Sequence, residues 1–310
     1  MEYKITLARA KEILRPFAYP RGAESVKLED AYNRVLSKDY IASEPVPAFD
    51  RAAVDGYALK FGVGVGASPD APKTLRVPEE VSAINAGEPI PNDADAIAGF
   101  GSFSGFSFDS ATLIEPIPSG ANITLAGDYI KVGEIIAREG EAVTAQTASA
   151  LAGQGITDVD VFRRPRIGVI SIGDELISGQ VRDSNRYALE FVLRDCGCVP
   201  IYLGLAEDIT QEIAHYINSG RGLDAMISTG GSAYGNNDFI TAAFDAMGAF
   251  SLCWGGVGED WGTFAFAALG ITPLICLSGE PGKMFATLNE VVVPALRQFA
   301  GFRPCLKSIT

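Results

Sequence analysis

The chain has 310 residues, 47% of them hydrophobic, which is more than one core ordinarily holds, so two or three structural units are expected. Its net charge of −13 comes from acids spread along the whole length, and no basic run exceeds Arg163-Arg164-Pro165-Arg166, which argues against binding a nucleic-acid backbone. Five cysteines form an odd set for a disulfide framework, and a single histidine, His215 on a polar helical segment, leaves no means of building a His-rich zinc site.

The first residues, MEYKITLARAKEILRPF, mix charge and apolarity at helical spacing and lack the apolar core of an export signal. No stretch approaches the roughly 18 to 20 apolar residues of a membrane span. A soluble, cytoplasmic protein is expected, with no membrane partner. TLARAKEILRPF and KLEDAYNRVLSKDY both read as helices. Residues 42–128 change character: they are rich in Pro and Gly, with short β-like pieces (LRVPEEVSAI, DAIAGF, TLIEPI), and read as a small, mostly β domain. Within it GFGSFSGFSF, from residue 99, reads as a loop or hairpin with no evident chemistry. The flanking pieces, 1–41 and 129–163, are expected to pack together as a discontinuous linking domain.

From about residue 164 to 302 apolar runs alternate with amphipathic helices: RIGVIS, SNRYALEFVLRDCG, VPIYLG, TQEIAHYINSG, LDAMISTGG, DFITAAFDAMG, AFSLCW, TFAFAAL, TPLICLSG and a closing KMFATLNEVVVPALRQFAG. That alternation predicts a three-layer α/β domain on a parallel-rich sheet, followed by a tail, 303–310. Cys196-Gly-Cys198 lacks C-x-x-C spacing and reads as a pair of ordinary buried thiols.

In such a domain ligands bind beyond the carboxyl ends of the strands. Three loops fall there. The first runs from Ser171 through Gly173, Asp174 and Glu175 to Asp183, Ser184 and Asn185, the last three being ordinary helix-capping types. The second, Ser228 to Asp238, contains Gly230, Gly231, Ser232 and Gly235, whose glycines let backbone approach a ligand. The third, Leu277 to Lys283, contains Gly279 and begins the last helix. Together they suggest a phosphate-bearing ligand. Glu175, Asp208 and Asp238 accompany them, and carboxylates beside phosphate need a bridging cation, for which Mg²⁺ is the natural choice.

Pro47 to Ala58, PAFDRAAVDGYA, resembles the signature P-x-F-D-x-S-A-[MV]-D-G-Y-A of the molybdopterin molybdenumtransferases, the family of MoeA and the gephyrin E domain. Ala86-Gly87-Glu88-Pro89-Ile90-Pro91, Ala94-Asp95-Ala96, Arg163 to Arg166, Gly-Asp-Glu-Leu, Gly-Gln-Val-Arg-Asp-Ser-Asn and the Thr-Gly-Gly loop ending at Asp238 follow in the family's order, so the resemblance covers nearly all of residues 1–302. It implies a homodimer whose cleft takes adenylated molybdopterin and molybdate as substrates, cleaves the phosphoanhydride with Mg²⁺ and release of AMP, and inserts the metal. By position, Asp55, Glu175, Asp208 and Asp238 are the implied catalytic carboxylates, the last three also holding Mg²⁺. Ser171, Gly173, Asp174, Ser184, Asn185, Gly230, Gly231, Ser232, Gly235, Gly279 and Lys283 are the implied cofactor-binding set.

The departures are specific. Ala86, Ala52 and Ile172 stand where the family has Thr, Ser and Thr. The stretch that should carry P-G-K-P reads Gly255 to Thr263, GGVGEDWGT, and no Lys or Arg occurs between Arg221 and Lys283. P-G-N-P is replaced by Ser278-Gly279-Glu280-Pro281, and no counterpart of the family's C-terminal β domain follows residue 302. The lost lysines support one alternative, a non-catalytic paralogue binding a pterin, a nucleotide or a partner protein; a hydrolase of another phosphorylated nucleotide is a second, because the same α/β architecture hosts unrelated chemistries.

Overall fold

Along the strand Arg166–Ile172, Ile167 and Val169 turn to one face and Ile170 and Ile172 to the other, each at most 2% exposed. The same period-two sorting recurs in three other strands of the sheet: Ala225 and Ile227 against Met226, Phe264 and Phe266 against Ala265 and Ala267, Ile275 and Leu277 against Leu274 and Cys276. Strands apolar on both sides must be covered on both sides. Helices Leu7–Leu14 and Ser184–Asp195 and the helical run 281–299 cover the first face; Thr210–Ser219 and Phe239–Ala246 cover the second. Each large side chain so enclosed contributes about 1.5–3 kcal/mol.

The computed structural model describes residues 2–231, 239–257 and 262–303. Its main sheet has seven strands, in spatial order Glu2–Ile5, Phe250–Val257, Phe264–Leu269, Thr272–Leu277, Ala225–Thr229, Arg166–Ile172 and Val199–Ala206. Only Phe264–Leu269 runs against the rest, so the expected three-layer, parallel-rich α/β domain is present.

The chain forms two compact units, one of residues 1–39, 137–149 and 156–310, the other of residues 40–136 and 150–155. In the first, Glu2–Ile5 is a strand, pairing Glu2 with Cys253 and Tyr3 with Trp254, and the helical spacing of the N-terminus begins only at Leu7, where Thr6 caps the helix by accepting from the Arg9 amide at 3.2 Å. KLEDAYNRVLSKDY is not the helix expected. Leu28–Asp30 makes one 3₁₀ turn, Asn33 sits at φ 58°, and Val35 and Leu36 bridge laterally to Ala142 and Val161. Those apolar side chains are buried by pairing across the chain, so a helical face has nothing to gain, and a left-handed residue ends any helix. Nearby, Ala23–Lys27 pairs antiparallel with Asp158–Phe162. The last helical run holds a π turn, Leu288–Val292, before Val293–Phe299. Pro294 has no N–H to return to the Glu290 carbonyl, which accounts for the irregular turn.

The second unit contains a three-stranded sheet centred on Gly56–Lys60, between Val81–Ile84 and Ala94–Gly99, and another centred on Ser110–Leu113, between Lys73–Arg76 and Phe103–Phe106. Leu59, Leu75, Val81, Phe103 and Leu113 form its core. Gly56 is required by packing: a Cβ there would lie 2.0 Å from the Ala98 carbonyl oxygen.

Candidate functional site

The carboxyl ends of the central strands are laced together by backbone. Gly230 lies at φ +83°, its amide donates to the Leu277 carbonyl at 3.0 Å, and a Cβ there would stand 2.1 Å from the Ile172 carbonyl oxygen. Gly231 packs on the Ile172 side chain, 2.7 Å from where its Cβ would be. Both glycines are therefore needed to bring the second loop down onto the first. Ile172, where the family has Thr, is buried and serves as the floor beneath that turn. Gly279 stands 3.5 Å from the Gly230 α-carbon by the same measure, and its carbonyl accepts from the Asn185 side-chain amide at 2.8 Å. Asn185 thus ties the first helix to the third loop.

Beside this knot lie the acids. Gly173 donates to the Ala206 carbonyl at 3.0 Å, and the Asp174 carboxylate accepts from the Asp208 amide at 2.9 Å, so the loops after Arg166–Ile172 and Val199–Ala206 form one ledge. The exposed Glu175 folds back over Gly173, where a Cβ would come within 2.7 Å of its carboxylate. Burial, and then the charges of Asp174 and Glu175, hold the half-buried Asp208 carboxyl above the usual carboxylate range, despite a hydrogen bond donated to it by the Asp174 backbone amide, which works in the other direction. Among the described residues no three His, Cys, Asp or Glu side chains converge as a metal-holding group. Asp238, the third expected metal ligand, lies outside the described residues, as do Ser232 and Gly235.

Ser171 and Asp183 face inward. Ser171 is fully buried and donates to the Asp183 carboxylate, whose other oxygen caps the helix through the Arg186 amide at 3.2 Å. Arg186 lies 3.5 Å over the Tyr202 ring and donates to Glu190 at 2.9 Å. Burial raises the Tyr202 phenol, which also bonds Ser171. This network braces the first loop from behind. Ser184, in contrast, is exposed at the helix start.

The third loop differs most from expectation. Glu280, not a solvent donor, occupies the start of the helix Pro281–Thr287: its two carboxylate oxygens accept from the Gly282 amide at 3.0 Å and the Lys283 amide at 2.9 Å. The N–H groups that would receive an anion are already engaged by an internal one. The Lys283 stem packs on Gly262, where a Cβ would be 2.6 Å from the lysine Cβ.

In the second unit, Asp55 is exposed and one of its oxygens accepts from the Ala86 amide at 2.7 Å. Ala86 replaces a hydroxyl-bearing residue, yet the contact uses only its backbone. The adjacent Glu88 is held below the usual carboxylate range by the Asn85 amide and side chain.

Sequence reading had missed Tyr202, Arg186 and Glu190, whose spacing carries no motif, and the capping by Glu280, which an acid immediately before a helix-opening proline could have signalled. An open cleft of about 680 Å³, lined in part by Arg15, Phe162, Gln298 and Arg303, lies away from the loops at the strand carboxyl ends. Cys196, Cys198 and Cys253 are buried, and burial pushes their thiols up, to about 11 for Cys196 and about 12 for Cys253.

Two family models match the chain: the MoeA N-terminal region (domain I and II) over residues 5–155, and "Probable molybdopterin binding domain" over residues 168–298. Molybdopterin molybdenumtransferase from Haemophilus influenzae is 28% identical over 96% of this chain and 78% of its own length; that from Bacillus subtilis is 27% identical over 88% and 70%. Among solved structures, the molybdopterin biosynthesis MoeA protein from Pyrococcus horikoshii superposes with a TM-score of 0.80 at 25% identity, over 96% of this chain and 80% of that one. A molybdenum cofactor biosynthesis protein from Pyrococcus furiosus has the same fold, with a TM-score of 0.58.

Proposed function

The chain belongs to the MoeA family of molybdopterin molybdenumtransferases, and we propose that it acts as one, inserting molybdate into adenylated molybdopterin with release of AMP. The observation that carries this reading is the ledge of Asp174, Glu175 and Asp208 beside the Gly230-Gly231 turn. Backbone is brought close enough there to follow a pyrophosphate, next to carboxylates that repel one another.

Hard oxygen donors with access to solvent suit Mg²⁺, which takes one or two carboxylates and keeps several waters. The raised Asp208 carboxyl is the setting a cation relieves. Glu175, Asp208 and Asp238 would hold it, and its charge would offset that of the phosphates and polarise them. The chain's own groups do the rest. Gly173, Gly230, Gly231 and Gly279 admit the phosphates to the backbone, with Asp174, Ser184, Ser232, Gly235 and Lys283 completing the binding set. Ser171 and Asn185 hold the loops in place through Asp183 and Gly279. Asp55 keeps one carboxylate oxygen available to accept a proton. The working form is a homodimer, and no described helix is long and apolar enough to cross a membrane.

The test is AMP release from adenylated molybdopterin with molybdate, with and without Mg²⁺, alongside sedimentation. Mg²⁺-dependent AMP release by a species of twice the chain mass is expected. Tight binding of the adenylated pterin with no AMP released would instead favour the binding-only paralogue, a reading that Glu280 and the absent lysines support.

A further inference from the structure

Gly230 is gripped on both of its backbone groups by the strand Thr272–Leu277. Its amide donates to the Leu277 carbonyl at 3.0 Å, and its carbonyl accepts from the Cys276 thiol, with Sγ 3.2 Å from the oxygen. The Leu277 carbonyl, 3.8 Å from the same sulfur, is the more distant acceptor. Cys276 is fully buried and stands opposite Ser228 in the sheet. The Ser228 hydroxyl is buried with no hydrogen-bond partner, so the thiol does not serve its neighbour across the strands and reaches the Gly230 carbonyl instead. A buried thiol ordinarily acts as a small apolar side chain. This one also has an acceptor within reach, on a turn where the direction of the backbone matters.

Peptide planarity carries that contact to the surface. In a trans peptide the carbonyl and the N–H that follows it point in opposite directions. A Gly230 carbonyl turned in to Cys276 therefore turns the Gly231 N–H out, away from the buried strand. Gly230 lies at φ +83° and Gly231 at φ +66°, and neither has a Cβ to hinder the peptide between them from turning over, so its direction has to be held by a contact. Gly231 is only half-buried, and among the described residues no acceptor takes its amide. With the Gly230 amide engaged by Leu277, the Gly231 amide is the donor this turn has left for a ligand.

We propose that Cys276 is a positioning residue for anion binding: its thiol fixes the Gly230–Gly231 peptide so that the Gly231 amide faces a phosphate oxygen of the substrate. This rests on the reading of the chain as a molybdenumtransferase, whose substrate carries a pyrophosphate.

The test is calorimetric titration of the whole protein with pyrophosphate, for the parent, Cys276→Ala and Cys276→Ser, with thermal melts to establish folding. Amide spectra of glycine-labelled protein follow the same titration, since only Gly231 and Gly256 come directly after another glycine. Cys276→Ala should weaken pyrophosphate about three- to tenfold, the order of one hydrogen bond to an anion, while Cys276→Ser keeps a donor and stays within about twofold of the parent. Pyrophosphate should shift the Gly231 amide of the parent, and shift it less in Cys276→Ala. Equal affinity in parent and Cys276→Ala overturns the assignment, as does failure of the parent to bind pyrophosphate. Equal loss of affinity in both variants, with lowered melting points, overturns it too and leaves Cys276 a packing role. So does a Gly231 amide that pyrophosphate leaves unmoved in the parent, a result that needs no variant to fold. Cys276-dependent pyrophosphate binding without AMP release from adenylated molybdopterin leaves the assignment standing and removes the transferase reading; AMP release with pyrophosphate affinity equal in all three proteins does the reverse.

Discussion

Replacing Glu280 by Asn separates two roles that one carboxylate now combines. Its oxygens accept from the Gly282 and Lys283 amides at 3.0 and 2.9 Å, so it caps the helix and also fills the place an incoming anion would take. Asn is among the best helix caps, so the variant should keep most of the capping and lose only the charge–dipole part, about 0.3–1 kcal/mol. The gain lies in anion binding. While Glu280 fills that place an oxyanion must sit beside it, and a unit negative charge roughly 6 Å away opposes it by about 0.7 kcal/mol at the dielectric of water and about 3 kcal/mol at an effective value of 20. Pyrophosphate or tungstate should therefore bind Glu280→Asn roughly 3- to 100-fold more tightly, with the gain shrinking as salt rises. Calorimetric titration at low and moderate ionic strength, paired with urea unfolding, measures both effects. If anion affinity does not rise while the helix remains intact, the carboxylate does not stand in the anion's place and the reasoning fails.

Asp208 gives a prediction in pH. Its carboxyl is raised above the usual 3.8, by burial first and then by Asp174 and Glu175, so the folded state holds a proton that the unfolded chain has already lost. Its contribution to stability therefore falls as pH rises from the ordinary value through the raised one, and the penalty is complete above that. Metal-free Asp208→Asn should melt about 1–2 °C above the parent at neutral pH, with no difference below pH 3.8, and Mg²⁺ should raise the melting point of the parent alone; a lower melting point for the neutral-pH variant refutes the electrostatic account. Gly230→Ala meets the Ile172 carbonyl at 2.1 Å with φ +83°, and should lose more than about 2 kcal/mol in chemical unfolding together with phosphate binding. Cys196, Cys198, Cys253 and Cys276 are buried, and a chromogenic disulfide reagent should find none of them before unfolding; rapid modification of any of the four in native protein contradicts their inert role.

Periodicity carried the α/β unit. Runs such as RIGVIS and TPLICLSG announce strands buried on both faces, and the structure divides their side chains between two helical layers. It failed where burial is arranged by lateral bridges: Val35 and Leu36 satisfy their apolar character against Ala142 and Val161, and no local pattern encodes partners so distant. At the candidate site, loop positions were legible because glycine and acid types stand out. The partners were not: Ser171 looks like a ligand group in sequence and Asp183 like a helix cap, and in the structure Asp183 caps its helix and also accepts from Ser171. GFGSFSGFSF reads in sequence as a loop or hairpin; in the structure it is a 3₁₀ turn, Phe100–Ser102, followed by the strand Phe103–Phe106, and its openness to solvent depends on which rings the neighbouring strands leave uncovered.

The strand Glu2–Ile5 bears on how the protein is made. It pairs with residues around Cys253, at the edge of a sheet whose other members all follow residue 165. During synthesis at about 5–20 residues per second, this strand leaves the ribosome well before its partner and waits on the order of 10 to 50 seconds for it. Until then its apolar contacts are unmet, and the loop to be closed is nearly the whole chain. The α/β unit therefore cannot fold in the order in which it is translated. A permuted gene that moves this strand next to the sequence it pairs with should shorten refolding without altering the finished fold, because it removes the long closure and leaves every native contact in place.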